Sequence, residues 1–357
     1  MGNLEILGYG EWFKNNSSAE FENGYQTARV ISVNRNSFLV SAGDGDIYAE
    51  LTGRFLFNSE TSSDFPTVGD WVHTQMFDDD SLAVIHSIFP RKSLLKRKTP
   101  GKKIEYQLIA ANVDKAIIMQ AADNNFNLRR LERYLVMINE SNITPMILLS
   151  KRDLISDEEI AIKKEEILKI LPGADIMAFT NNAPSDVEEI KNRLAPGKTY
   201  CLLGSSGVGK TTLLNNLIHQ DLYKTQPIRE KDGRGKHTTT RRELIIIDNG
   251  AIIIDSPGMR ELGVISADSG LSDTFDEISE LAQLCKYDDC THTVEKGCRV
   301  LEGVEEGIVS RERYDNYIKI LKETRYNEMS YLEKKQKEKK FGKFMHNYQK
   351  NHNHKKQ

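Results

Sequence analysis

Residues 201–216 read "CLLGSSGVGKTTLLNN", and the fold is decided there. The run Gly204-Ser205-Ser206-Gly207-Val208-Gly209-Lys210-Thr211 fits the phosphate-loop pattern G-x-x-x-x-G-K-[ST]. An apolar strand precedes it. Leu213, Leu214, Leu217 and Ile218 follow as the one-sided stripe of a helix. In that context the glycines let backbone N–H groups turn onto phosphate oxygens, and the helix adds its positive N-terminal end. Lys210 is placed to reach the β- and γ-phosphates, Thr211 to offer its hydroxyl to Mg²⁺, and Thr212 continues the same turn. The position is unusual. In most phosphate-loop proteins this element opens the nucleotide domain, yet here it lies past the midpoint of 357 residues.

The stretches on either side explain the late position. Downstream, "GAIIIDS" is a buried strand closed by Asp255, and Gly258 completes a D-x-x-G element. An aspartate there can serve the Mg²⁺ shell, and a glycine N–H can sense the γ-phosphate. Upstream, "LLSKRDL" closes another strand with Ser150, Lys151, Arg152 and Asp153. This resembles the guanine-reading N-K-x-D motif of GTPases. A carboxylate can accept from both N1–H and the 2-amino group of guanine, a donor pair that adenine lacks. Serine replaces the usual asparagine, which puts a contact with the base N7 in doubt and leaves the carboxylate recognition intact. The order is therefore base reader, phosphate loop, switch, D-x-x-G. Ordinary GTPases run from the phosphate loop to the base reader, so the chain looks like a circularly permuted GTPase domain. Strand adjacency in space does not require one chain order.

Around this core, strands "KAIIMQAA", "TPMILLS", "ADIMAF" and "KTYCLLG" alternate with helices expected over 127–141, 156–171 and 185–194. That alternation predicts a mostly parallel sheet with helices on both faces. The strands "RELIIID" and "GAIIIDS" predict a hairpin across Asn249-Gly250. Residues 25–89 instead carry short β-rich runs separated by "NRN", "GDGD" and "DDDS". They predict a small barrel, OB-fold or SH3-like. The segment 90–103, "PRKSLLKRKTPGKK", holds seven cations and no acid. It reads as a solvated linker or as a contact to an RNA backbone. The tail "KKQKEKKFGKFMHNYQKNHNHKK" carries the same two readings.

Of four cysteines, Cys201 is an apolar-strand residue. Cys285, Cys290 and Cys298 cluster with His292. Three thiols and one imidazole make a Cys₃His set, the composition of a closed structural zinc site with no open position for catalysis. Net charge is −3, hydrophobic residues make up 39% and charged residues 28%. This describes a globular chain and excludes a polycation, so any nucleic-acid contact must be local. No run is long and apolar enough for a membrane helix, and "MGNLEILGYGEWF" lacks the pattern of a signal peptide. A cytoplasmic protein without a membrane partner is expected.

Barrel, permuted GTPase and Cys₃His domain together resemble one bacterial family, the small-ribosomal-subunit-dependent GTPases. The resemblance spans nearly the whole chain. "FPTVGDWV", "FNLRRLERYL", "GSSGVGKTTLLN", "GRGKHTTTRRE", "DSPGMRELG" and "CKYDDCTHTVEKGC" carry it. It implies an OB-fold at 1–90, a basic linker at 91–103 and the GTPase domain at 104–268. A mostly helical zinc domain at 269–330 and a basic tail at 331–357 complete it. It further implies a monomer that hydrolyses GTP to GDP late in 30S assembly, bound to 16S ribosomal RNA and stimulated by the subunit. His237, in the switch, is the implied catalytic residue, and Thr238, Thr239 or Thr240 offers a second hydroxyl to Mg²⁺. Met259 stands where Ras-like enzymes place a water-orienting glutamine, so the hydrolytic group comes from His237 or from the ribosome. The alternatives are another permuted GTPase of ribosome assembly, or an RNA-binding protein with weak nucleotide turnover.

Overall fold

The computed structural model describes residues 2–16, 24–34, 37–78, 81–99, 106–218, 242–255, 268–329 and 333. Two short helices, α1 (Gly2–Ile6) and α2 (Glu11–Asn15), open the chain. Strands β1 (Gln26–Val33), β2 (Phe38–Ser41) and β3 (Asp46–Leu51) follow, then helix α3 (Gly53–Asn58) and strands β4 (Trp71–Phe77) and β5 (Leu82–Ile88). β1 pairs with β2, β2 with β3, β3 in parallel with β5, β5 with β4, and β4 back with β1. The ring is closed. A helix between the third and fourth strands and a parallel β3–β5 contact make it an OB-fold. A register shift between Val30 and Ser32 lets β1 bend round the barrel. Alternate residues Ala28, Val30, Val40, Ala49, Val72, Ala83 and Ile85 fill the interior. α1 and α2 went unforeseen. Leu7 and Phe13 pack with Trp71 and Phe89 and cover the barrel's side.

The basic linker expected at 91–103 is corrected in its described part. Leu94–Lys98 forms strand β6, which pairs antiparallel with β7 (Tyr106–Ala111). Between the cations lies the apolar pair Leu94-Leu95, and Leu95 is wholly buried with Ile109 in the GTPase core. Arg91 is not a solvated charge either. Its guanidinium donates to both carboxylate oxygens of buried Asp70, at 2.8 and 2.7 Å.

The α/β part runs β8 (Lys115–Ala121), α4 (Leu128–Asn139), β9 (Thr144–Ser150), α5 (Asp157–Ile170), β10 (Ile176–Ala178) and α6 (Pro184–Arg193). It continues with β11 (Thr199–Gly204), α7 (Lys210–Ile218), β12 (Arg242–Ile246) and β13 (Ile252–Asp255). Strand order is β10-β9-β8-β11-β13-β12, parallel except for β12. The central strands β9, β8, β11 and β13 are buried on both faces, so their residues divide between two cores. Ile118, Leu203 and Ile254 meet α4 and α5 on one side. Ile117, Leu202 and Ile253 meet α6 and α7 on the other. The β12–β13 hairpin is present, closed over Asp248, Asn249 and Gly250 by Ile247 N to Ala251 O at 2.9 Å and Gly250 N to Ile247 O at 2.8 Å. β12 also pairs with the end of β1, so barrel and GTPase domain share an 11-stranded sheet. Helices α8 (Asp268–Thr274), α9 (Asp276–Ala282), α10 (Arg299–Glu305) and α11 (Arg311–Glu328) form the last unit. They pack around Phe275, Ile278, Tyr317 and Ile320, and against Val136 of α4.

Candidate functional site

The parallel strands end together, and the sequence-predicted nucleotide residues gather at that edge. The phosphate loop leaves β11 at Gly204, whose φ of 149° and contact with the Met119 carbonyl leave no room for a Cβ, which would lie 2.5 Å from that oxygen. Gly209 is restricted by its φ of 94°, and a Cβ there would also displace Asn181 Nδ2, 2.6 Å away. Val208 anchors the loop in the core, while Ser205, Ser206, Gly207, Thr211 and Thr212 stay half-buried and reachable. Lys210 opens α7, and its Nζ donates to the Gly204 and Ser205 carbonyls at 2.7 and 2.8 Å. It therefore lies along the loop that a phosphate chain would occupy. Asp255 ends β13, in register with Leu202 of β11, and is buried beside the start of the loop.

The base-reader segment closes β9 two strands from β11. Asp153 is exposed, held by Asn182 Nδ2 at 3.2 Å, and the Thr180 hydroxyl keeps its carboxyl below the usual carboxylate range. It is an ionised acceptor with room for a base edge. Lys151 takes a left-handed φ of 62°, and its Nζ donates to Asp123 at 2.8 Å. Arg152 pairs with Asp186 at 2.9 Å. The structure gives Ser150 a task other than base contact. Its side chain is fully buried, and its hydroxyl donates to the Val208 carbonyl at 2.7 Å, with the Gln120 carbonyl at 3.3 Å. It fastens the base-reading strand to the phosphate loop. His237, Thr238, Thr239, Thr240, Gly258 and Met259 lie outside the described residues.

Sequence reasoning missed two loops at this edge. After β8, Asp123 holds Lys151, Asn125 Nδ2 lies 3.5 Å from Ser205 Oγ, and Asn127 caps α4 by accepting from Arg130 N at 2.9 Å. Burial pushes the Asp123 carboxyl up, but Lys151 and the Asn125 N–H outweigh it and hold it low. After β10, Asn181 Nδ2 donates to the Gly209 carbonyl at 3.2 Å and Asn182 holds Asp153. The signal was positional. In open α/β sheets, ligands bind beyond the carboxyl ends of strands, and both loops follow strands already identified.

The Cys₃His set does come together. The ligand atoms of Cys285, Cys290, His292 and Cys298 all lie within 4.8 Å of one another. Cys285 and Cys298 sulfurs are 3.8 Å apart, and His292 Nδ1 lies 3.6 and 3.5 Å from them. A tetrahedron with metal–sulfur bonds of about 2.3 Å and metal–nitrogen bonds of about 2.0–2.1 Å has edges of about 3.8 and 3.5 Å. The donor set thus fits a tetrahedral metal ion. His292 reaches it from a left-handed φ of 57°, with Tyr314 Oη donating to its carbonyl at 2.6 Å. Burial lowers the His292 pKa, which favours the neutral, ligating imidazole. Burial, with the neighbouring cysteines, pushes the Cys298 thiol up to about 12, a cost that a bound cation would reverse.

Among the described residues no helix is long and apolar enough to cross a membrane. The family model for the RsgA GTPase matches residues 88–265. The small ribosomal subunit biogenesis GTPase RsgA 2 of Lactiplantibacillus plantarum is 38% identical over 90% of this chain and 90% of its own length. RsgA 1 of Bacteroides thetaiotaomicron is 35% identical over 96% of each. Among solved structures, YjeQ from Thermotoga maritima superposes with a TM-score of 0.59 at 26% identity, over 84% of this chain and 98% of that one. YloQ, described as a circularly permuted GTPase, shares the fold with a TM-score of 0.60 at 24% identity, over 87% and 98%.

Proposed function

The chain belongs to the RsgA GTPase family, and on that premise we propose that it binds the small ribosomal subunit late in its assembly and hydrolyses GTP there. GTP hydrolysis is the family's activity; the subunit, its 16S RNA and a cytoplasmic monomer are this reading's additions. The observation that carries it is the meeting of the phosphate loop with an ionised, exposed Asp153 at one sheet edge, braced by Ser150 and Asn181. The loop and α7 hold the phosphates, and Asp153 selects guanine. Mg²⁺, held through Thr211 and near Asp255, would neutralise charge on the phosphates. His237 places the attacking water when the subunit is bound.

Hydrolysis measured with and without purified 30S subunits tests the reading. Turnover should rise by about two orders of magnitude or more, because supplying a missing transition-state group is worth about 10³–10⁵ in other GTPases. His237→Ala should retain GTP binding and lose most of that rise. Equal turnover with and without subunits would sink the proposal. For the Cys₃His site we propose zinc in a structural role, since three thiolates and one imidazole leave no open position. Protein prepared without added metal should carry about one equivalent of zinc, and Cys290→Ser should unfold the C-terminal helices while leaving GTP binding intact. Metal-free protein with a fully folded C-terminal unit would refute this.

A further inference from the structure

The loop after β8 stands between the two halves of the nucleotide edge. Strand order is β9-β8-β11, so a ligand that reaches from Asp153 after β9 to the phosphate loop after β11 passes over the end of β8. Ala121 and Ser150 form the last rung between β8 and β9. One residue past that rung, Lys151 takes its left-handed φ of 62°, a conformation that residues with a side chain avoid. Its side chain runs from β9 towards β8, where Nζ meets Asp123 Oδ2 at 2.8 Å. The other carboxylate oxygen, Oδ1, accepts from Asn125 N at 2.9 Å. The loop around this carboxylate is held on both sides. Gln120 and Asn127 exchange two hydrogen bonds of 3.1 Å across its base. Arg130 Nη2 donates to Asn125 Oδ1 at 3.1 Å, which turns the amide N–H towards Ser205 Oγ, 3.5 Å away.

Stability does not explain the pair. The Lys151 and Asp123 side chains each keep 24% exposure, and an ion pair so open to water adds little to folding. Charge does not explain it either. An acid next to a loop built for phosphate repels the anion that the loop receives, so on electrostatic grounds alone Asp123 is a liability there. What the pair does supply is direction. A free lysine stem samples many rotamers, and ordering it on a ligand has an entropic cost. Tethered at Nζ, the stem already lies across the crevice between β9 and β11, and its methylene groups offer apolar surface to the flat face of a base. We propose that Asp123 is a positioning residue of the base site, holding Lys151 across the crevice so that its stem forms a preset floor under the base whose edge Asp153 reads. The proposal rests on the guanine-reading role proposed for Asp153 and adds the residue that sets the geometry beside it.

The test titrates GDP and a non-hydrolysable GTP analogue into the full chain by calorimetry. Asp123→Asn keeps Oδ1 for the Asn125 N–H and turns an amide NH₂ towards Lys151, which cannot hold an ammonium. It should weaken both nucleotides by the same factor, about tenfold, the scale of coupling between residues in contact. The factor is shared because the stem serves the base and not the γ-phosphate. The sign separates this from a plain charge effect. A carboxylate acting by repulsion alone would, once neutralised, tighten both nucleotides, and the GTP analogue more than GDP. Lys151→Met keeps a stem without its tether, and on that background Asp123→Asn should add no further loss. Unchanged or tighter binding by Asp123→Asn would overturn the proposal. So would a full extra tenfold on Lys151→Met, which would route the effect through Asn125 and Ser205, or a loss of affinity that only accompanies a large drop in melting temperature. The broader readings fail separately. A wild type that binds ATP as well as GTP removes Asp153 as the base reader, and the loss in Asp123→Asn or its absence still decides the tether. Missing stimulation by 30S subunits refutes the subunit reading and leaves these titrations untouched. A wild type that binds no nucleotide overturns both.

Discussion

Ser150 stands where the N-K-x-D motif has asparagine, and its geometry gives the serine a place of its own. On the proposed function two tasks meet at this strand end, reading the base and holding the phosphate loop. The buried hydroxyl performs the second through Val208, at 2.7 Å. On the proposed function, selection of guanine then falls to Asp153, exposed and ionised beside Thr180 and Asn182. The two tasks separate by mutation. Ser150→Ala removes one neutral hydrogen bond, worth about 1 kcal/mol, so GTP should bind about fivefold more weakly with its preference over ATP unchanged. Asp153→Asn should instead erode that preference and improve xanthosine triphosphate, whose 2-oxo group accepts from an amide. Titration of each nucleotide into both variants checks this. A Ser150→Ala protein that lost guanine preference would return the serine to the base.

Helix α4 has two working faces. Leu131, Leu135 and Ile138 bind the sheet, as their spacing predicts. The other face holds Glu132, wholly buried, which accepts from Arg129 at 2.5 Å, Arg313 at 3.0 Å and Asn316 Nδ2 at 2.5 Å. Arg313 also donates to Glu277 at 2.9 Å and to the Thr274 carbonyl at 2.8 Å, and Arg133 pairs with Glu323 at 2.6 Å. Since Asn127 caps α4 directly after the loop that touches Ser205, the helix links the phosphate-loop edge to the unit that carries the Cys₃His set. Glu132→Ala should cost about 3 kcal/mol, the low end for breaking a buried pair, because Glu277 still meets Arg313. Calorimetry should then resolve a separate, earlier transition for the C-terminal helices; one unsplit transition at the wild-type temperature would refute the joint. None of this network was legible in the sequence. A helical stripe reports what is apolar, and Glu132 looks like a solvated face until Arg313 arrives from far along the chain. The same limit hides the Ser150–Val208 contact and β6, whose buried Leu95 is flanked in sequence by cations. Local signals, the strand alternation, the phosphate loop and the Cys₃His spacing, were readable because neighbours in the chain carry them.

At the scale of the whole molecule, barrel and GTPase domain are one sheet. Ser32 and Val33 at the end of β1 pair with Glu243 and Arg242 of β12, the strand that the switch sequence enters. The joint is fixed by Arg29, fully buried beneath both parts. Its guanidinium donates to the Leu7 carbonyl, to the Gly69 carbonyl at 3.2 Å and to Thr199 Oγ1 at 2.9 Å, and lies 5.4 Å over the Trp71 ring. Burial lowers its pKa to about 10, opposed by Asp114 and Asp70, so it stays charged at neutral pH. Thr199 opens β11, the strand that ends in the phosphate loop. β1–β12 and Arg29–Thr199 therefore both tie the barrel to strands that run to the phosphate-loop edge. Arg29→Met keeps most of the volume and takes the donor from the buried Leu7 carbonyl, at about 1–3 kcal/mol, while the Gly69 carbonyl still accepts from Asn112, so the protein should melt earlier. If the joint carries the subunit's signal, 30S-stimulated hydrolysis should fall about tenfold, within the usual range of coupling energies. GTP affinity and the unstimulated rate should hold, since Arg29 touches neither phosphate nor base. Both rates and 30S co-sedimentation would be measured below the variant's melting transition. A lower melting temperature with full stimulation would make Arg29 a structural clamp only and leave α4 and the segment after Asp255 to carry the signal.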